Sequence, residues 1–334
     1  MKKKILFVAL FLATLLCADL LVGASTRLII AHAPQTQYNL SNTIQTLFHQ
    51  RSDILILGAS RAHHSFDPRI IRQETGLTCF NGGRSGVKMD YFDLCVSSCL
   101  KRYAPRMIIL DISSDMMETP RDDQFRNLRC LYGLCGPLTE AMDSVYSPLE
   151  RLKLHSALYR NNRVYNEVLQ LCLSKQCPGL CGYQPLSGEY RTPHELSTMP
   201  FRPDAARLSK LDDIVSLCRS HNVRLIVTYA PTLRLTTRGV SQWLSHYCKD
   251  RHIPYYDYSW EKKYYLHPEL FKDEVHLNSH GAEIFTREFI PVIKANVCEI
   301  PVHCGFPADG LGQGVAQTPR DSSLVRRDKV WQKQ

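Results

Sequence analysis

Short runs of consecutive apolar residues alternate along this chain with stretches whose apolar residues recur every three or four positions. Residues 54–57, Ile-Leu-Ile-Leu, form a continuous apolar run, the pattern of a strand buried on both faces. Further runs at 78–81, 107–111, 223–229 and 255–257 predict four more strands. Between them, helical spacing predicts helices through Ile70 and Ile71, over 87–103 (Val87, Tyr91, Leu94, Leu100), over 205–221 (Leu208, Leu211, Ile214, Val215, Cys218) and over 240–251 (Trp243, Leu244, Tyr247). A last helix carries Ile284, Phe285, Phe289, Val292 and Ile293, with Asn278 or Ser279 placed to cap it. Strands alternating with helices predict an α/β fold: a doubly wound, flavodoxin-like, five-stranded parallel sheet with helices on both faces.

Several segments fall outside that alternation. Lys2, Lys3 and Lys4 precede an apolar run from Ile5 to about Gly23, broken only by Thr14, Cys17 and Asp19. About twenty apolar residues span a bilayer, and the lysines predict that the rest of the chain is exported. Residues 1–30 are therefore expected to be a signal anchor, with Leu28, Ile29 and Ile30 prolonging the apolar character. Val22-Gly23-Ala24 leaves a cleaved signal peptide, and a secreted protein, as the alternative. Residues 31–50 read as a juxtamembrane segment, with Leu40, Ile44, Leu47 and Phe48 on one side of a stalk-like helix. The α/β domain is expected over 51–299, interrupted by an insertion at about 116–204. Within the insertion, 149–173 reads as one helix. A loop rich in Pro, Gly and Cys follows; the whole insertion reads as a lid or acceptor-binding surface over the sheet's carboxyl edge, with Tyr190, Arg191 and His194 as solvated loop residues and substrate contact as their alternative. From 300 to 334 Gly, Pro, Gln and Ser dominate, which predicts a disordered tail.

The 334 residues are enough for one large core plus an insertion. The formal charge of +9 suggests nucleic acid until its distribution is considered. The three N-terminal lysines and the excess of basic residues after Arg320 hold most of it, and no basic run is interleaved with aromatic residues. Nucleic-acid binding is therefore not expected. The 13 cysteines contain no Cys-x-x-Cys pair and no zinc-ribbon spacing. An exported domain permits disulfides, and Cys130–Cys135 and one bridge among Cys172, Cys177 and Cys181 are the expected pairs. Cys79, Cys95, Cys99 and Cys218 read as buried thiols.

Candidate chemistry enters at two places far apart in sequence. Residues 53–60, DILILGAS, put Ser60 just past the carboxyl end of the first strand, the edge at which open α/β sheets bind ligands. Residues 271–282, FKDEVHLNSHGA, hold Asp273 and His276 three positions apart. A hydroxyl is a poor nucleophile at neutral pH. An imidazole within hydrogen-bond reach activates it, and a carboxylate fixes the imidazole's tautomer and stabilises its charged form. Ser60, His276 and Asp273 are therefore the candidate nucleophile, base and orienting acid, although an Asp-x-x-His pair alone is more often a solvated turn. Arg61, His63 and His64 follow the serine directly. Two adjacent histidines without a third ligand make poor zinc chemistry, so they are read as rim or packing residues, with substrate contact as the alternative.

With Gly58-Ala59-Ser60, then Asn81-Gly82-Gly83-Arg84-Ser85-Gly86, then Asp273-x-x-His276, the chain resembles the SGNH (GDSL-type) hydrolase superfamily, and particularly its membrane-anchored bacterial branch. The resemblance implies that Gly86 lends a backbone N–H to an oxyanion hole shared with the Ser60 N–H. It also implies no cofactor and no metal. Two positions depart from the family pattern. Ala59 replaces an aspartate that is not part of the triad. Asp115 falls where the family carries an asparagine whose amide donates to the oxyanion, and an ionised carboxylate only accepts. The remaining donors would be the Ser60 and Gly86 N–H groups and Ser114.

These readings imply an exported serine esterase or O-acyltransferase acting on acyl esters, with acetyl groups of cell-surface glycans as the substrate class suggested by the resemblance. Arg61, His64 and Arg84 are candidate substrate contacts. The expected location is a bacterial inner membrane, single-pass, with the catalytic domain periplasmic. A membrane-bound acyl donor would be the partner for transfer. The alternative is a non-catalytic glycan-binding or assembly component that keeps the fold, which Asp115 favours. A structural stalk protein would require the serine, histidine and aspartate to coincide by chance.

Overall fold

The structure, a computed structural model, describes residues 1–119, 123–162, 165–191, 201–234 and 238–297. The expected tail and His194 lie outside the described residues. Helix α1 (Lys2–Ala31) is followed by α2 (Asn39–Ile44), which runs on into a π-helical turn, Gln45–His49. The α/β alternation then begins: β1 (Ile54–Leu57), α3 (Ser60–Ser65), α4 (Pro68–Thr75), β2 (Cys79–Asn81), α5 (Met89–Leu100) and β3 (Met107–Asp111). The insertion contributes α6 (Gly136–Val145), α7 (Pro148–Leu154), α8 (Ala157–Asn161) and α9 (Tyr165–Leu173). The fold resumes with α10 (Ala205–Ser220), β4 (Arg224–Tyr229), α11 (Arg238–Asp250), β5 (Tyr255–Asp257), α12 (Lys262–Tyr265) and α13 (Ser279–Val297).

The five strands form one parallel sheet in the order β2-β1-β3-β4-β5. This is the expected α/β, flavodoxin-like arrangement, whose strand order reverses between β1 and β3. Side chains alternate between two apolar layers. Leu55, Leu57, Ile108, Leu110, Leu225 and Val227 pack with residues of α5, α10 and α11, among them Phe92, Cys99, Ile214 and Leu244. Ile54, Ile56, Met107, Ile109 and Ile226 face the other way, toward Ile71 of α4 and Phe285, Phe289 and Ile293 of α13. Burial on both faces explains why the strands read as unbroken apolar runs. Asn278 caps α13, its side-chain oxygen accepting from the Gly281 N–H at 3.0 Å.

Three expectations are corrected. The stretch 149–173 is three short helices, because Ser156 caps a new one: its hydroxyl accepts from the Tyr159 N–H, and Asp19 of α1 accepts from the Leu158 N–H at 2.9 Å. The segment 39–49 is not a stalk. Leu40, Ile44 and Leu47 are buried, and so are the polar residues Ser41, Asn42, Thr43, Gln45 and Thr46, so the α/β body takes in residues well before 51. Cys130 and Cys135 are free, buried thiols, as are Cys79, Cys95, Cys99 and Cys218. The Cys135 sulfur meets the Ser98 hydroxyl on α5 at 3.3 Å, while burial pushes the Cys130 thiol up to about 12. Cys172, Cys177 and Cys181 are unbridged as well.

Candidate active site

Strand β1 ends at Leu57, and Gly58 lets the chain turn sharply there. A Cβ at Gly58 would stand 2.5 Å from the Ala62 Cβ and 3.0 Å from the Asp111 Cβ, so α3 can start this close to β3 only above a glycine. Ser60 is the first residue of α3, where a backbone N–H has no partner within the helix. The other half of the site comes from the loop between β5 and α13. Phe271 and Leu277 close that loop with an antiparallel bridge. The Asp273 carboxylate shapes its tip, accepting from the Val275 N–H at 2.9 Å and the His276 N–H at 3.0 Å.

These two elements bring three side chains into line. His276 Nδ1 lies 2.9 Å from both Asp273 carboxylate oxygens. A carboxylate only accepts, so Nδ1 carries the proton and Nε2 is left as an acceptor. Nε2 lies 2.7 Å from Ser60 Oγ, within the reach a general base requires. Partial burial raises the Asp273 carboxyl, but the His276 ring and the Val275 and His276 N–H groups outweigh it and hold it below the usual value. Asp273 is thus ionised throughout the neutral range.

The other candidates fall into different places. Arg61 is buried, with Nη2 3.3 Å from Asp111 Oδ2 and its guanidinium 4.2 Å over the Tyr229 ring. It is a core ion pair beneath the nucleophile rather than a substrate contact. Burial works against its charge, but Asp111 and Tyr229 outweigh that and raise it above its ordinary value. Burial pushes the Asp111 carboxyl up, against Arg61 and the Ala230 N–H, which donates to Asp111 Oδ1 at 2.7 Å. With two donors turned to it, the carboxylate is the anion of the pair. Arg84 also departs from the expectation. It is buried, donating to the Asn39 carbonyl at 3.0 Å and to the Thr43 hydroxyl. His63 is packing, 1% exposed.

His64 stays close to the chemistry. Its ring meets the His276 ring edge-on, with centroids 5.2 Å apart, and its Nδ1 lies 2.8 Å from the Gln184 carbonyl. Burial lowers its basicity, so it packs against the base as a neutral ring. Gly86 has φ +75, a conformation that favours glycine, with open space where a Cβ would be. The loop carrying it is pinned to β1 and α3: the Gly82 N–H donates to the Ile56 carbonyl, the Arg84 N–H to the Gly58 carbonyl, and the Asn81 amide to the Ala62 and Phe66 carbonyls. Asp115 is exposed; its carboxylate accepts from the Ser113 hydroxyl and its backbone carbonyl from Lys88.

Two supports of the site were not foreseen from the sequence. One is α2, whose Asn42 amide donates to the Asn81 carbonyl at 3.0 Å and the Gly83 carbonyl at 2.7 Å. The other is the returning part of the insertion, read above as a loop within a lid or acceptor-binding surface. Its Gln184 N–H donates to the His63 carbonyl, its Tyr190 N–H donates to the Phe271 carbonyl, and its Leu186 carbonyl accepts from the Ser279 N–H. This strap joins the serine helix to the histidine loop. Only its richness in Pro, Gly and Cys was legible there. A polar cleft of about 460 Å³ adjoins Gly86, lined by Arg84, Ser85, Asp123, Arg126 and Asn127. Among the described residues, no group of three or more His, Cys, Asp or Glu is arranged to hold a metal ion.

The sequence matches no protein-family model and no curated protein. Solved structures do align with it at low identity. A psychrotrophic esterase from a Pseudoalteromonas species, inhibited by monoethylphosphonate, aligns at 9% identity over 72% of this chain and 96% of its own, with a TM-score of 0.37. A GDSL-like lipase from Bacteroides thetaiotaomicron aligns at 12% identity over 74% of this chain and 87% of its own, with a TM-score of 0.36.

Proposed function

We propose that this protein is a membrane-anchored serine esterase or O-acyltransferase of the SGNH type, acting on acyl esters outside the cytoplasm. The observation that carries this reading is the aligned chain of contacts from Asp273 through His276 to Ser60 Oγ. In the mechanism, the Ser60 hydroxyl attacks the ester carbonyl as His276 Nε2 takes its proton. The tetrahedral oxyanion is held by the Ser60 and Gly86 N–H groups. His276 then gives the proton to the leaving alcohol, and an acyl-enzyme remains on Ser60 Oγ. Water or a second hydroxyl, deprotonated by His276, takes the acyl group and frees the serine. Asp273 stays ionised and keeps the imidazole in the required tautomer.

Acyl esters of cell-surface glycans, acetyl esters first among them, are the proposed substrates. The polar cleft beside Gly86 supports this class, because its guanidinium, amide and hydroxyl groups suit a sugar better than a long acyl chain. Retention of α1 as an anchor is supported by its packing: Gly23 and Thr26, at and after the candidate cleavage site, are buried, and Thr26 donates to the Asn161 side chain at 3.2 Å.

Treatment of the folded protein with a fluorophosphonate probe tests the nucleophile. Labelling of the wild type and none of Ser60→Ala or His276→Ala is expected. An unlabelled, folded wild type would sink the assignment. One observation favours a second reading, a non-catalytic glycan-binding component. By the resemblance, Asp115 stands where the family has a donating amide, and a carboxylate there supplies no such donor. In that case Ser60→Ala would leave glycan binding and cellular function intact.

A further inference from the structure

Helix α1 holds an apolar run from Ile5 to Val22, which at helical rise is about 27 Å, close to the ~30 Å of a hydrocarbon core. Its window of highest hydropathy is wholly unburied by the rest of the chain. The body of the protein meets α1 where that run ends. Asp19 Oδ1 accepts from the Ser156 hydroxyl at 2.6 Å and the Leu158 N–H at 2.9 Å. A Cβ at Gly23 would stand 3.2 Å from the Ala157 Cβ. Helix α8 is therefore fixed at the outer boundary of whatever apolar layer α1 crosses.

At this level the insertion shows apolar side chains to the outside. Leu158, next to Ala157, is exposed, and on the neighbouring helix α7 Leu149 is 61% and Leu152 68% exposed. Leu149 and Leu152, three apart, lie on one face of α7. Helix α7 packs on α8 and α8 packs on α1, and α1 itself exposes Leu16, Leu20 and Leu21. Cations accompany the patch: Arg27 on α1 is exposed, and so is Lys153 on α7, which pairs with Glu150 at 2.9 Å. Apolar side chains beside basic ones, at the end of a spanning helix, form the pattern of an interfacial membrane contact.

We infer that α7 and the start of α8 rest in the bilayer interface, so that the insertion is a membrane-seated platform fixed rigidly to the anchor. The inference rests on α1 spanning the membrane. The occupant of the patch is the phospholipid surface, argued from its continuity with the exposed face of α1. Contact through two elements, rather than a single flexible tether, holds the body at a set height and tilt above the lipid. The platform thereby restricts which acyl esters the site meets to those carried at or near the membrane.

The test uses the full chain in nanodiscs of phosphatidylcholine and phosphatidylglycerol containing a lipid with a diazirine on its acyl tail. After irradiation, adducts are mapped by peptide mass spectrometry. Adducts are expected on α1 and on peptides covering 145–158, with none on α11. A Leu149→Glu/Leu152→Glu variant should lose at least tenfold of the 145–158 adducts and keep those on α1. Adducts confined to α1, or equal labelling of 145–158 and α11, would overturn the platform. Absence of adducts on α1 itself would overturn the membrane span, and the platform with it. Because the wild-type map decides the question, a variant that fails to fold leaves the test intact.

Discussion

At the residue scale the site divides into groups that do chemistry and groups that hold them. Asp273 does the second for His276. Replacing it by Asn removes the carboxylate that fixes the tautomer, and ester hydrolysis should fall by about 10⁴-fold. Because Asp273 is held below the usual carboxylate value, that loss should be the same from pH 6 to 9 in an esterase assay. Asp115 acts in the opposite direction. If it flanks the oxyanion, Asp115→Asn should raise turnover by about a hundredfold, the scale of one hole donor; an unchanged kcat would remove Asp115 from the site. His63 gives a stability prediction. Burial lowers it from an ordinary 6.5 to about 3, so between those values the unfolded chain binds a proton that the folded chain does not. Stability therefore rises with pH across that window and is lost as pH falls. The slope is up to about 1.4 kcal/mol per pH unit, and urea titrations of His63→Gln should show that slope flattened.

At the element scale, a six-residue helix carries the nucleophile, too short to be stable alone. Its position comes from its own Arg61, paired with Asp111 of β3, and from the strap that bonds the His63 carbonyl. Removing one member of a buried ion pair leaves an uncompensated charge, at a cost of about 3–5 kcal/mol. Arg61→Met should lose that much by denaturant unfolding, and Arg61→Met/Asp111→Leu should recover more than half. Recovery of nothing would show that the pair acts only through its packing against Tyr229. The strands and most flanking helices were legible locally, because burial on both faces leaves a continuous apolar run and burial on one face leaves a stripe. The breaks within 149–173 and the burial of α2 were not. Polar residues such as Asn42 and Thr43 read as solvent-facing, and only their partners on the loop 81–86 make them interior.

For the whole molecule, α1 is part of the folded body over its last turns. Ile30 is buried, its carbonyl lies 3.0 Å from His49 Nε2, and the Ala33 carbonyl accepts from the Gln45 side chain at 2.7 Å. A chain beginning at Tyr38 loses these contacts, whereas one beginning at Asp19 keeps them. The shorter chain should melt lower, by roughly 2–4 °C for each kcal/mol removed; equal melting temperatures would show that α1 adds nothing to the body.

The sequence by itself determined the class of fold, the five strands, the apolar helix and the three side chains of the candidate triad. Each is written in a local pattern: a run, a spacing, or a residue at a strand's end. Tertiary structure decided which polar residues are interior, which arginines are structural, and that the strap binds both halves of the site. Ser60 and His276 are 216 positions apart. A hydrogen bond between them depends on strand order and on the path of the insertion, because burial and pairing belong to what folding brings together rather than to any one segment.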